Sequence, residues 1–210
     1  MTPQDGVTTP ADMLPGQLIL EDGRTFDGRC FGHEGSKAGE VVFATGMVGY
    51  PEALTDPSFY GQLLALTFPL IGNYGVPADD ENDGVRKYFE SHRIQTAGLL
   101  ICDYSIHHSH WQAFRSLSNW LKQYEVPALM GIDTRALTKH LREKGSMLGK
   151  IIVDGRDTEF WDPNSHRVVE DVTISEPTEI GQGDKTVLVL DCGCKESMLT
   201  NLLKRGVKVR

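Results

Sequence analysis

G-E-V-V-F-A-T-G-M-V-G-Y-P-E-A-L-T-D-P-S, Gly39 to Ser58, sets the architecture. Val41, Val42 and Phe43 form an unbroken apolar run of β-branched and aromatic residues, the mark of a strand covered on both faces. Gly46 and Gly49 end that run, and glycine lets the backbone take positive φ or pass close to another group. Pro51 is expected to fix a turn. Thr55-Asp56-Pro57-Ser58 then makes a polar corner, in which Asp56 is held extended by the proline after it and Ser58 sits just beyond. The stretch predicts a buried strand feeding a long polar loop, the arrangement by which a scaffold presents functional groups.

The surrounding chain has 210 residues, room for one good-sized domain or one plus part of another. A hydrophobic content of 40% with 24% charged residues reads as globular rather than disordered. A net charge of −8 argues against nucleic acid or an anionic membrane as partner, and no apolar run reaches the length of a span. The first 13 residues have neither the apolar core of a secretory signal nor the Arg and Lys of a transit peptide, and read as a disordered leader. Cys30, Cys102, Cys192 and Cys194 show no C-x-x-C spacing. In a cytoplasmic chain they read as free, mostly buried thiols.

Strands are expected at Gln17–Leu20 and Thr25–Phe31 about an Asp-Gly turn, and at Glu40–Thr45, Leu63–Phe68, Thr96–Asp103, Pro127–Ile132 and Met147–Val153. A short helix is expected over Val85–Ser91. A longer one, capped by Ser109, carries Trp111, Phe114, Leu117, Leu121 and Tyr124 at helical spacing. Another starts at Asp133 or Thr134, turns Leu137 and Leu141 inward and stops at Gly145. The acidic run Pro77–Asp83 reads as a solvated loop. Asp154–Asp184, with its prolines and acidic residues, reads as an ordered connector pinned by Phe160, Trp161, Val168 and Val169.

Lys185–Arg210 begins afresh. Thr186–Leu190 is an apolar strand, Cys192-Gly193-Cys194 a turn, and Met198, Leu199, Leu202 and Leu203 one helical face; Gly206 ends the helix and Val207 opens a further strand. That is the opening β-α-β of a parallel doubly wound sheet. One such unit cannot cover both faces of its strands, so the chain is expected to be a truncation.

Three motifs together resemble one family: Gly39–Ser58 continued by L-T-F-P-L-I-G-N-Y-G at Leu66–Gly75, then G-x-D-T-R-x-L-T-K-x-L-R-E-K-G-x-M-L-G-K at Gly131–Lys150, then V-L-D-C-G at Val189–Gly193. The chain is similar to the glutamine-hydrolysing small subunit of carbamoyl phosphate synthetase, and most of all to its fused eukaryotic form. The resemblance implies an α/β fold: a layered β/β/α N-terminal domain over residues 14–153, the connector 154–184, and from 185 the first βαβ of a flavodoxin-like class I amidotransferase domain.

It also implies a reaction. A cysteine of the amidotransferase domain, activated by histidine and glutamate, releases ammonia from glutamine. A synthetase part, joined in cis or in trans, uses that ammonia with bicarbonate and two ATP to make carbamoyl phosphate. ATP and magnesium belong to that synthetase part, and no cofactor is implied within these 210 residues. The family nucleophile lies in a G-x-C-x-G elbow, and neither that motif nor the G-N-G-P-G-D glutamine loop occurs here. Cys192 and Cys194 flank a glycine in the first β-α turn, where the family places no catalysis. The serine of the family's T-D-P-S touches glutamine across the domain interface, and Ser58 stands in that position. Phe59 stands where many members carry Tyr.

His107, His108 and His110 lack the regular spacing of a metal site, and the basic run Lys139–Lys144 reads as the exposed end of a helix. Two other readings stay open: a non-catalytic module that binds a synthetase partner, and an ammonia-dependent homologue of the urea-cycle type. The 210-residue chain by itself is predicted not to release ammonia from glutamine in a coupled glutamate dehydrogenase assay. Release at the rate of a complete glutaminase would refute this.

Overall fold

The computed structural model describes residues 10–210. The leader expected over residues 1–13 lies outside the described residues as far as residue 9. Beyond that, Pro10–Asp12 is one turn of 3-10 helix and Met13 is buried. The elements that follow are β1 (Pro15–Leu20), β2 (Thr25–Cys30), β3 (Lys37–Ala44), α1 (Tyr50–Thr55), β4 (Leu63–Ile71), β5 (Glu81–Asn82), β6 (Val85–Arg86), β7 (Gly98–Tyr104), α2 (Leu117–Gln123), β8 (Ala128–Met130), α3 (Thr134–Lys144), β9 (Met147–Val153), α4 (Val168–Val172), β10 (Thr186–Val187), α5 (Glu196–Leu203) and β11 (Lys208–Val209).

Seven strands close on themselves in the order β1-β2-β8-β7-β4-β3-β9. β3, β4, β7 and β8 run parallel to their neighbours within that wall, and the other pairings are antiparallel. Side chains that alternate along a strand therefore serve two cores. Leu63, Ala65, Leu100 and Leu129 point into the barrel with Leu18, Leu20, Val41, Ile151 and Val153. Leu64, Leu66, Leu99, Ile101 and Ala128 point outward, under Leu54 of α1 and Leu117, Trp120 and Leu121 of α2. The result is a closed seven-stranded barrel with α1 and α2 packed outside its parallel wall, a mixed α/β fold.

The barrel interior leaves little room. Gly149 lies on the inward face of β9 between Met147 and Ile151, and a Cβ there would collide with Val41 and press on Leu18 and Leu20. β4 slips register against β7 between Leu66 and Leu70, where Pro69 has no N–H to give the ladder.

Several local expectations are corrected. Val85–Ser91 is not a helix. Asp83 (φ 54°) and Gly84 (φ 77°) make a tight left-handed turn that pairs β5 with β6, so Asp-Gly signals a hairpin here too. The acidic loop before it is held by cations: Arg115 Nη2 donates to both Asp79 oxygens at 2.8 and 2.9 Å, and Arg86 Nε lies 3.2 Å from Glu81. The helix expected from Ser109 begins only after Ser116, whose hydroxyl accepts from Asn119 N. The preceding backbone is already committed, because Phe114 N and Arg115 N both donate to Val76 O. Trp111 and Phe114 consequently lie in solvent, 84% and 65% exposed, while Leu117 and Leu121 are buried as expected.

α3 follows its sequence signals closely. Asp133 caps it, Leu137 and Leu141 join the barrel interior, and Gly145 ends it at φ 96°. His140 is buried on the same helix, with Nε2 2.6 Å from Asp22 Oδ2 and Nδ1 3.1 Å from Arg24 Nη1. Arginine can only donate, so Nδ1 accepts and Nε2–H donates to the aspartate. This tautomer ties α3 to the β1–β2 turn.

Replacing Gly149 by Ala is expected to lower stability by about 1–3 kcal/mol through overpacking, read as a fall in the urea midpoint at unchanged slope. An unchanged midpoint would show that the barrel interior has slack at this point.

Candidate functional site

The polar corner lies at the end of α1. Pro51 occupies the first turn of that helix rather than a loop turn, because its fixed φ suits a position where no N–H is needed; Gly49, at φ 87°, starts it. Thr55 and Asp56 are buried, whereas Ser58 is exposed. Thr55 Oγ1 donates to Pro51 O at 2.8 Å and accepts from Glu90 N at 2.9 Å. Ser91 Oγ donates to Thr55 O at 2.6 Å. The corner is thereby bolted to the 89–95 segment, whose Phe89 and Ile94 share the outer core with Leu54 of α1.

Asp56 is the centre of the arrangement. It is extended, with ψ 120°, as the following proline requires. Its Oδ1 accepts from Ser58 N at 2.9 Å and its Oδ2 lies 3.1 Å from Lys195 Nζ. Both carboxylate oxygens are taken, so Asp56 holds the corner and is not placed as a base for the Ser58 hydroxyl. That hydroxyl makes no hydrogen bond among the described residues, and it can donate as well as accept.

Lys195 comes from the C-terminal β-α-β, which packs against the corner. A Cβ on Gly193 would lie 3.1 Å from Pro57 Cβ and 3.0 Å from Val172 Cγ2, so only glycine lets the Cys192-Gly193-Cys194 turn approach this closely. Asp191 shapes the turn: Oδ1 accepts from Gly193 N (2.9 Å) and Cys194 N (2.6 Å), and Oδ2 from Ile174 N (2.7 Å). Glu90 accepts from Glu196 N through its carbonyl and from Ser197 N through Oε2. Buried Glu196 accepts from Arg86 N at 3.1 Å and lies 3.3 Å from His92 Nε2. Burial raises the Glu196 carboxyl above the usual range, opposed by the Arg86 N–H and the His92 and Arg86 charges.

The cysteines separate by environment. Cys30 is buried, Cys194 is half-buried, and Cys102 and Cys192 are exposed, so the expectation of mostly buried thiols fails at two of the four. Burial pushes the Cys194 thiol up, and the carboxylates of Asp191, Glu196 and Glu90 push it further. A helix N-terminus ordinarily favours a thiolate, but here α5 comes with three acidic neighbours. Cys194 is a poor nucleophile at neutral pH.

His107, His108 and His110 do not converge. Among the described residues no three His, Cys, Asp or Glu side chains could hold a metal ion. Lys139, Arg142 and Lys144 lie on the exposed side of α3. In the connector Trp161 packs over Gly61 and stacks on His166 at 4.9 Å, while Val169 is half exposed.

Asp191, Lys195, Glu90 and Glu196 join Ser58 and Asp56 at the seam. Asp191 before a Cys-Gly pair is a readable Asx-turn signal. Nothing in the hydrophobic pattern marks the other three, which act across long sequence separations.

The family model "Carbamoyl-phosphate synthase small chain, CPSase domain" matches residues 18–151, and the chain belongs to that family. The multifunctional protein CAD of Squalus acanthias is 50% identical over 197 residues, which cover 91% of this chain and 9% of that protein. The mitochondrial carbamoyl-phosphate synthase (ammonia) of Homo sapiens is 47% identical over 195 residues, covering 91% and 13%. The carbamoyl phosphate synthase arginine-specific small chain of Yarrowia lipolytica is 43% identical over 214 residues, covering 96% and 48%. The chain therefore spans about half the length of the fungal small chain and far less of the two larger proteins. An aminopeptidase from Aneurinibacillus sp. strain AM-1 superposes at a TM-score of only 0.35 with 13% identity, over 70% of this chain and 31% of that one, which establishes no common fold.

Labelling with iodoacetamide at about pH 7 is expected to modify Cys102 and Cys192 first and Cys194 and Cys30 slowly. Because the Cys194 thiol is held up, its rate should climb only at a pH above that of an ordinary thiol. Labelling of Cys194 ahead of Cys192 would show a thiolate that this environment does not support.

Proposed function

We propose that the chain is the docking half of the amidotransferase part of a glutamine-dependent carbamoyl phosphate synthetase, and that Ser58 completes the glutamine pocket. The observation that carries this reading is the corner itself: an exposed serine hydroxyl on backbone fixed by Asp56, at the junction between the barrel and the β-α-β unit. A hydroxyl so placed suits the amino and carboxylate groups of glutamine, which need an acceptor and a donor. The nucleophilic cysteine, its histidine and its glutamate belong to the flavodoxin-like domain that the β-α-β unit opens.

On this reading, ammonia released from glutamine passes to a synthetase part, in the same chain or a partner subunit, which holds ATP and magnesium. There, glutamine nitrogen, bicarbonate and two ATP yield carbamoyl phosphate for pyrimidine or arginine biosynthesis. The cytoplasm is the proposed location; no helix among the described residues is long and apolar enough to cross a membrane.

A second reading rests on the relatives named for ammonia, which match nearly as well as the multifunctional protein: 47% against 50% identity. In an enzyme of that type Ser58 would have no glutamine to meet. The nitrogen donor decides between the two. In the complete enzyme, Ser58→Ala is expected to raise KM for glutamine about tenfold or more, the loss of a hydrogen bond to a charged group, and to leave activity with free ammonia unchanged. Unchanged glutamine kinetics would remove Ser58 from the pocket. Activity with ammonia and none with glutamine would favour the second reading.

A further inference from the structure

The N-cap residue of α5 is Lys195, whose side chain makes no capping hydrogen bond. An ammonium can only donate, whereas the first amides of a helix need acceptors. Met198 N turns back to Lys195 O at 2.9 Å, a local solution. The amides of Glu196 and Ser197 are met from outside the β-α-β unit, and by one residue. Glu90 O accepts from Glu196 N at 3.1 Å, and Glu90 Oε2 accepts from Ser197 N at 3.0 Å. The barrel domain thus supplies the cap that α5 lacks.

The Ser58 corner grips Glu90 from the other side. Glu90 N donates to Thr55 Oγ1 at 2.9 Å, and the hydroxyl of the next residue, Ser91, donates to Thr55 O at 2.6 Å. Gln95 Nε2 donates in turn to Ser91 Oγ at 2.9 Å. Phe89 stacks on Trp120 with ring centroids 5.3 Å apart, and both are buried in the outer core. Glu90 cannot shift toward or away from α5 without breaking a hydrogen bond or opening that core. The Asp56–Lys195 pair joins the same two parts through a long lysine side chain that is 37% exposed, and such a flexible stem follows small movements of the unit. Glu90 bonds with its own main chain to Thr55 and to α5, so it admits much less play.

We propose, on the reading that Ser58 meets glutamine, that Glu90 is a positioning residue for glutamine use. By capping α5 from the barrel domain it sets the spacing between Ser58 and the amidotransferase domain to which α5 belongs. What the position requires is an acceptor oxygen on a side chain of this length, so a Gln side chain can stand in for Glu.

In the complete enzyme, Glu90→Ala is expected to raise KM for glutamine about fivefold and to leave activity with free ammonia unchanged, while Glu90→Gln stays within about twofold of the parent. Because Glu90 acts through Ser58, Glu90→Ala in a Ser58→Ala background should add less than about twofold. In the 210-residue chain, Glu90→Ala should speed hydrogen exchange at the Glu196 and Ser197 amides about fivefold, and Glu90→Gln should not. The proposal is overturned if Ser58→Ala raises KM for glutamine and Glu90→Ala does not, if Glu90→Gln is as impaired as Glu90→Ala, or if Glu90→Ala raises KM as much without the Ser58 hydroxyl as with it. An equal loss of ammonia-dependent activity in Glu90→Ala would overturn it too, since that marks a general loss of structure. If Ser58→Ala itself leaves glutamine kinetics unchanged, the reading of Ser58 falls and takes this one with it; faster exchange in Glu90→Ala would then record a helix cap with no part in glutamine use.

Discussion

Burial of the parallel wall on both faces is the constraint from which the rest follows. Leu63 to Leu66 and Leu99 to Ile101 are almost wholly inaccessible, although alternate residues point in opposite directions. Buried strands must have every backbone group paired and must be covered above and below. Closure of the barrel by the antiparallel strands supplies one cover, and α1 and α2 supply the other. α1 is therefore no incidental turn of helix. It lies on the wall because Tyr50 and Leu54 complete the outer core, and its end delivers Thr55 and Asp56 to a fixed place.

From that place the Asp56 carboxylate joins two parts of the chain, accepting Ser58 N–H with one oxygen and pairing with Lys195 through the other. The ion pair is partly buried, so salt screens it less than a surface pair. It does not act alone: Gly193 against Pro57 and Glu90 on the α5 N-terminus make the same seam by packing and by backbone hydrogen bonds. An arrangement of this sort suits a residue that must meet a substrate from across a boundary, since the corner and the opposing turn keep one spacing.

Much of this was legible in the residues. The unbroken apolar run at Val41–Phe43, the Asp-Gly turn at 22–23, the cap at Asp133 and the stop at Gly145 all act locally, and the structure follows them. The extended Asp56 followed from Pro57 alone. The failures share one cause. Trp111 and Phe114 have helical spacing, yet a backbone bridge from Val76 to Arg115 claims that segment first. Asp79 reads as solvated until Arg115, far along the chain, is brought to it. Lys195, Glu90 and Glu196 carry no periodicity, because their partners are set by tertiary contact. Ser58 is singled out by motif likeness alone; its neighbours at the seam carry no such signal.

The seam is the claim on which the functional account stands, and nuclear spin relaxation tests it most directly. Backbone amide relaxation of the 210-residue chain gives a rotational correlation time for residues 186–209 and another for the barrel strands. The account predicts one shared value, with the β-α-β unit tumbling as part of the barrel. A shorter correlation time for residues 186–209 would mean that the unit moves independently, and the fixed spacing between Ser58 and the Gly193 turn would be lost.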